Sequence, residues 1–168
     1  MKFNELPYTT KMKINEANVR GTYLSISCDY EDLMEDLIYV CEYEKAKKIK
    51  GFKEKHLTLL SMGAKLGRAK SSLKKHNYSN YKDFAPYFKI INTLVKYRNI
   101  LAHGYSEYDN SMLDERFITF THVKKENKRK YKEKIEVFPF IMQLEGFGEN
   151  LLHLAGLISS IKYEKGIA

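Results

Sequence analysis

A chain of 168 residues, 43% hydrophobic and 30% charged, is long enough to bury a core of its own and too apolar to stay disordered. No window of it approaches eighteen consecutive apolar residues, which excludes a membrane-spanning helix from the sequence pattern. The 29 Lys and Arg outweigh 21 Asp and Glu for a formal charge of +8, a balance that favours polyanionic partners through counterion release and steering.

In chain order, residues 1 to about 14 are polar, carry Pro7 and read as a lead-in arm. From about Asn15 to Lys48 apolar residues recur at helical spacing, through Val19, Tyr23, Tyr30, Leu37 and Cys41, with a bend expected near Gly21 or Ser25-Ile26-Ser27. Lys45 to Lys55 is basic and holds Gly51, a turn. A second helix is expected over about Glu54 to Lys75, followed by the turn chemistry of His76 to Asn80. A third helix carries Pro86 in its first turn, where a proline breaks no hydrogen bond, and ends at His103 with Gly104 as its stop.

The texture then changes. Arg116 to Val123 and Ile135 to Phe138 are β-branched and aromatic, and the basic run Lys124 to Lys130 lies between them. This predicts a β-hairpin over about 115–138, closed by Pro139. A last helix is expected from about Phe140 to Tyr163. The chain thus reads as a single all-α domain over 1–168, an antiparallel up-and-down four-helix bundle with one hairpin inserted before the final helix.

Cys28 and Cys41 stand thirteen apart on the first helix, out of reach of one another, and no Cys or His has a partner at metal spacing. The expectation is therefore no metal and no cofactor. Unpaired thiols and an N-terminus, MKFNELPYTTKMK, without an apolar targeting segment point to the cytoplasm.

The third helix carries the chemistry. Its apolar stripe runs Tyr87, Ile91, Leu94 and Leu101, and Arg98 falls within it, so a buried guanidinium in need of an anion is expected there. The adjoining stripe is Asn92, Lys96, Asn99 and His103. Arg98 and His103 are five residues apart, a rotation of roughly 140° on a regular helix, so one copy cannot aim both side chains at one point. Two copies about a two-fold axis can, and a functional reading of the pair requires a homodimer.

The string Arg98-Asn99-Ile100-Leu101-Ala102-His103-Gly104-Tyr105 resembles the Arg-x4-6-His signature of HEPN domains. It is also similar to the Arg-x4-His-x-Tyr version found in HEPN toxins paired with nucleotidyltransferase antitoxins. The resemblance implies a metal-independent endoribonuclease, in a stress, phage-defence or toxin–antitoxin role. In it the substrate's 2′-hydroxyl attacks the adjacent phosphate, so DNA is not cut. His103 would move the proton, Arg98 would hold the phosphate and its transition-state charge, and Asn99 would orient the imidazole or bind a phosphate oxygen. Tyr105 matches the tyrosine that is adenylylated in such toxins. The hairpin tip, Lys124, Lys125, Lys128, Arg129 and Lys130 with Tyr131 beside it, is a candidate RNA-tracking arm.

Each residue also has a plainer reading. Arg98 can pair with Glu31, Glu35 or Asp36, His103 can simply cap the helix end, and the tip lysines can be a solvated loop. The alternative function is a catalytically silent HEPN module that binds RNA or a protein partner.

Overall fold

The computed structural model describes residues 3–75, 79–107, 116–123 and 130–167, with the side chains of residues 4, 79–81, 99, 103, 107 and 122 set aside. Within these the chain is mostly helical and carries one small antiparallel sheet. In order come α1 (Tyr8–Cys41), α2 (Tyr43–Ala46), α3 (Phe52–His56), α4 (Met62–Lys75), α5 (Ala85–His103), β1 (Tyr105–Glu107), β2 (Phe117–Val123), β3 (Lys130–Glu136), α6 (Val137–Glu149) and α7 (Leu151–Glu164).

Several boundaries differ from the sequence expectation. The lead-in arm is helical from Tyr8, because Pro7 is tolerated just before the first turn and its carbonyl accepts from the Thr10 and Lys11 amides. No break divides α1 at Gly21 or Ser25, and its 34 residues run as one helix to Cys41. The second helix is two pieces. Its first, α3, follows Gly51, whose φ of 68° is the left-handed region a glycine enters without penalty. The final helix is also divided, α6 from α7 at Asn150, and Pro139 lies inside the first turn of α6.

Contacts group the residues into two units, 1–26 with 96–146, and 27–95 with 147–168. In the second unit, Tyr30, Met34, Leu37, Ile38 and Cys41 bury the α1 face, with Leu66, Ala69 and Leu73 of α4, Tyr87, Ile91 and Leu94 of α5, and Leu154, Ile158 and Ile161 of α7. The Tyr30 hydroxyl, fully buried, donates to the carbonyl of Phe147 at 2.8 Å. Burial pushes its ionisation well above the ordinary tyrosine range. Lys65 lies among these residues with its ammonium 2.7 Å from Glu35 and 3.3 Å from Glu31.

The first unit holds the sheet, in the order β1-β2-β3, all antiparallel. The expected hairpin is present as β2 and β3, but its second strand is Lys130–Glu136 rather than Ile135 to Phe138, and Val137 and Phe138 open α6 instead. The short third strand, β1, was not expected, because three residues with one β-branched or aromatic member carry no strand signal. Ile118, Phe120 and Ile135 are buried on one face of the sheet, along with Met12, Val19 and Tyr23 of α1 and Ile100 and Leu101 of α5.

Candidate functional site

The motif helix ends as its sequence indicates. The Gly104 amide donates to the Ile100 carbonyl at 2.8 Å, one residue past His103. A Cβ at Gly104 would stand 2.2 Å from that same carbonyl oxygen. Only a residue without a side chain fits this approach, so glycine is set here by contact with backbone. Tyr105 follows as the first residue of β1, half-exposed.

Two residues of α1 hold this junction. Arg20 donates through Nη2 to the Gly104 carbonyl at 2.7 Å and through Nε to Glu16 Oε1 at 2.9 Å. The other carboxylate oxygen of Glu16 accepts from the Ser106 hydroxyl at 2.7 Å. The Arg20 guanidinium also lies 5.0 Å from the centre of the Phe120 ring on β2, a cation–π contact. One ion pair on α1 thus fixes the residue after the helix and the second residue of the strand. Sequence reading missed Glu16, Arg20 and Ser106. The i,i+4 spacing of Glu16 and Arg20 is visible in the sequence, but a surface ion pair has the same spacing.

Arg98 departs from its expected setting. It is exposed, not buried within an apolar stripe. The reason is that the buried side of α5 drifts along its length. Tyr87, Phe88, Ile91 and Leu94 define it early, while Ile100 and Leu101, with half-buried Tyr97 packed edge-on 4.7 Å from the Phe140 ring, define it in the last turns. On an ideal helix these two sets differ in direction by roughly 100°, and the drift carries position 98 out to solvent. The carboxylates considered as its partners are engaged elsewhere: Glu31 and Glu35 with Lys65, and Asp36 with Lys53. Among the described residues no ion pair involves Arg98.

The backbone of α5 runs through Asn99 and His103, but their side chains lie outside the described residues. So do Lys124, Lys125, Lys128 and Arg129. Lys130 is described: it is the exposed first residue of β3. Beyond it, Lys132 and Lys134 are exposed on the same side of the strand, two positions the sequence reading did not single out although their period of two was available.

A second polar setting lies in the other unit, in a cavity of about 550 Å³ lined by Glu42, His56, Arg68, Ser72, Lys75 and Lys165 among others. Its centre is committed to structure. Arg68 holds Glu42 with two hydrogen bonds, at 2.9 and 2.7 Å, and Ser72 adds a third at 2.8 Å. Arg68 and Ser72 together hold the Glu42 carboxyl below its ordinary range. Lys165 Nζ donates to the carbonyls of Val40 and Cys41 at 2.9 and 3.0 Å, closing the end of α1. Burial raises the Cys41 thiol to about 12, which leaves it protonated and unreactive at neutral pH. No group of three His, Cys, Asp or Glu among the described residues is placed to hold a metal ion, and no described helix is long and apolar enough to cross a membrane.

Comparison with known proteins finds no matching family model, no matching curated protein and no matching solved structure.

Proposed function

We propose that this chain is a metal-independent endoribonuclease of the HEPN kind, an antiparallel four-helix bundle acting in the cytoplasm as a homodimer. The observation that carries the reading is Arg98: a guanidinium exposed in the last turns of α5, without an ion pair among the described residues, five residues before His103. An arginine serving only to stabilise the fold would be expected to hold a carboxylate. One left to solvent near the end of a helix suits capture of a phosphate.

In the proposed reaction the 2′-hydroxyl oxygen bonds to the adjacent phosphorus as the bond from phosphorus to the 5′-oxygen breaks. One His103 imidazole takes the hydroxyl proton, and the imidazole of the second protomer gives a proton to the departing 5′-oxygen. Arg98 stabilises the charge of the pentacoordinate transition state. The products are a 2′,3′-cyclic phosphate and a 5′-hydroxyl. The partner in a toxin–antitoxin setting would be a nucleotidyltransferase-type antitoxin acting on Tyr105, whose half-exposed position supports access.

The test is incubation of the purified protein with labelled RNA in EDTA. Cleavage to cyclic phosphate ends is expected, with DNA of the same sequence left whole. Arg98→Ala and His103→Ala should each slow it by about a hundredfold or more while the helical spectrum and dimer persist. Three results would each overturn the reading: a monomer in solution, variants that cleave as the parent does, or RNA that is bound and left intact. The last would leave a silent RNA-binding module.

A further inference from the structure

The face of the sheet opposite Ile118, Phe120 and Ile135 carries an arrangement that the motif does not account for. Register places Tyr105, Thr121 and Lys132 abreast across β1, β2 and β3. Val123 and Lys130 form the next row on one side, and Thr119 and Lys134 the next on the other. Because side chains alternate between faces, these residues share one face, opposite to that of Ile118, Phe120 and Ile135. The opposite face is the buried one: Ser106 on it bonds Glu16 of α1, and Phe120 receives Arg20.

On the outward face Lys130, Lys132 and Lys134 are all exposed, and Tyr105 and Val123 are each half-exposed. Successive lysines along β3 stand about 6.7 Å apart. Lys134 Nζ lies 4.1 Å from the centre of the Phe117 ring, so a ring and a cation already meet at one end of the row. Glu136 and Glu107 share register positions on this face, both toward the Phe117 end. Toward the other end, at Lys130 and Lys132, no acidic residue shares the register on this face among the described residues. Thr121, in the middle strand, is the buried residue of the row.

We propose that this face is a track for single-stranded RNA, in which the β3 lysines hold successive phosphates and Tyr105 stacks a base. The inference rests on the ribonuclease reading above for the fate of the bound strand. Three lysines at alternate positions of an edge strand match the repeating charge of a polynucleotide backbone. An exposed tyrosine roughly 10 Å across the sheet from them is placed for the base rather than the phosphate. Tyr105 is also two residues beyond His103, so a strand lying on the face arrives at the end of α5. A duplex keeps its bases paired inside and has no ring to offer Tyr105.

The experiment measures binding of a fluorescent twelve-nucleotide uridine RNA by anisotropy over a salt series, with the protein carrying His103→Ala so that the RNA stays whole. Replacing Lys130, Lys132 and Lys134 together by Ala should weaken binding at least about tenfold and make the log–log salt slope shallower by about 2, the value for three lost phosphate contacts on a single strand. Tyr105→Ala should weaken it by about five- to a hundredfold with the slope unchanged. A triple Lys→Arg variant should restore both affinity and slope, which separates charge from folding. The proposal is overturned if the triple Ala variant keeps the parent's affinity and slope, if the parent binds no RNA, or if polyglutamate displaces the RNA as well as unlabelled RNA does, since the face would then dock an acidic protein. The two readings fail separately. Absent cleavage with the salt and Tyr105 effects intact would remove the ribonuclease and leave the track. Cleavage that persists with binding indifferent to the lysines and Tyr105 would do the reverse.

Discussion

Arg20 donates to the backbone carbonyl of Gly104, 84 residues away in sequence, at 2.7 Å. That bond ties the N-terminal part of α1 to the residue that ends the motif helix, and Glu16 extends the tie to Ser106. Arg20→Ala should therefore lower stability by about 1–2 kcal/mol, the range for a hydrogen bond from a charged donor that is part-exposed. Arg20→Lys, which keeps the charge but cannot engage Glu16 and the carbonyl through separate nitrogens, should recover less than half of that. Urea titration of the three proteins checks it, and a lysine variant as stable as the parent would show that charge alone suffices.

Gly104→Ala is expected to be more damaging than most glycine substitutions. Its Cβ would fall 2.2 Å from the Ile100 oxygen, and the obstacle is backbone rather than the end of a flexible side chain. Relief needs a shift in the last turn of α5, at about 1–3 kcal/mol on the scale of overpacked sites. Gly67→Ala is the control: nothing lies within 4 Å of its Cβ, and alanine is the better helix former, so stability should hold or rise. Thermal melts that rank the two variants the other way would refute the contact argument.

Acid sensitivity should trace in part to Glu42. Its folded pKa lies below the unfolded value, first through the Arg68 hydrogen bond and then through Ser72, against a burial effect of opposite sign. A depressed carboxyl contributes stability that is complete above the unfolded pKa and is lost as pH falls through the folded one. Glu42→Gln should cost about 1–3 kcal/mol at neutral pH and flatten the stability profile below pH ~5. Parallel profiles for parent and variant down to pH 3 would exclude Glu42 as a source.

Thr121 carries a buried hydroxyl with no hydrogen-bond partner among the described residues. Removing an unsatisfied polar atom while keeping the shape can be neutral or favourable. Thr121→Val should hold stability or raise it by up to about 1 kcal/mol, as read from denaturant midpoints, whereas Thr121→Ala should lower it. A loss on valine substitution comparable to that of alanine would mean the hydroxyl is satisfied after all.

Tyr30→Phe gives the contrasting case. Its hydroxyl is buried and donates to the Phe147 carbonyl, so deletion leaves that carbonyl without this donor. A loss of about 1–2 kcal/mol is expected in equilibrium unfolding. A neutral result would indicate that water takes the place of the hydroxyl.

Local chemistry was readable along the chain because it acts over a few residues. Helical periodicity marked α1 and α5, Pro86 and Gly104 set the ends of α5, Gly51 marked a turn, and β-branched runs about a basic segment foretold the β2–β3 pair. The sequence likewise isolated Arg98 and His103 as the residues to ask about. It misplaced Arg98 because periodicity assumes that one face of a helix stays buried from end to end, whereas the buried side of α5 changes between Leu94 and Ile100. Which residues meet across long separations followed from packing: Arg20 with Gly104, Glu16 with Ser106, Lys65 with Glu31 and Glu35. The outward face of Tyr105 and the β3 lysines was also beyond reach. Alternation indicates that residues share a side of a strand, but which side meets solvent is settled only when the other is covered, here by contacts from α1.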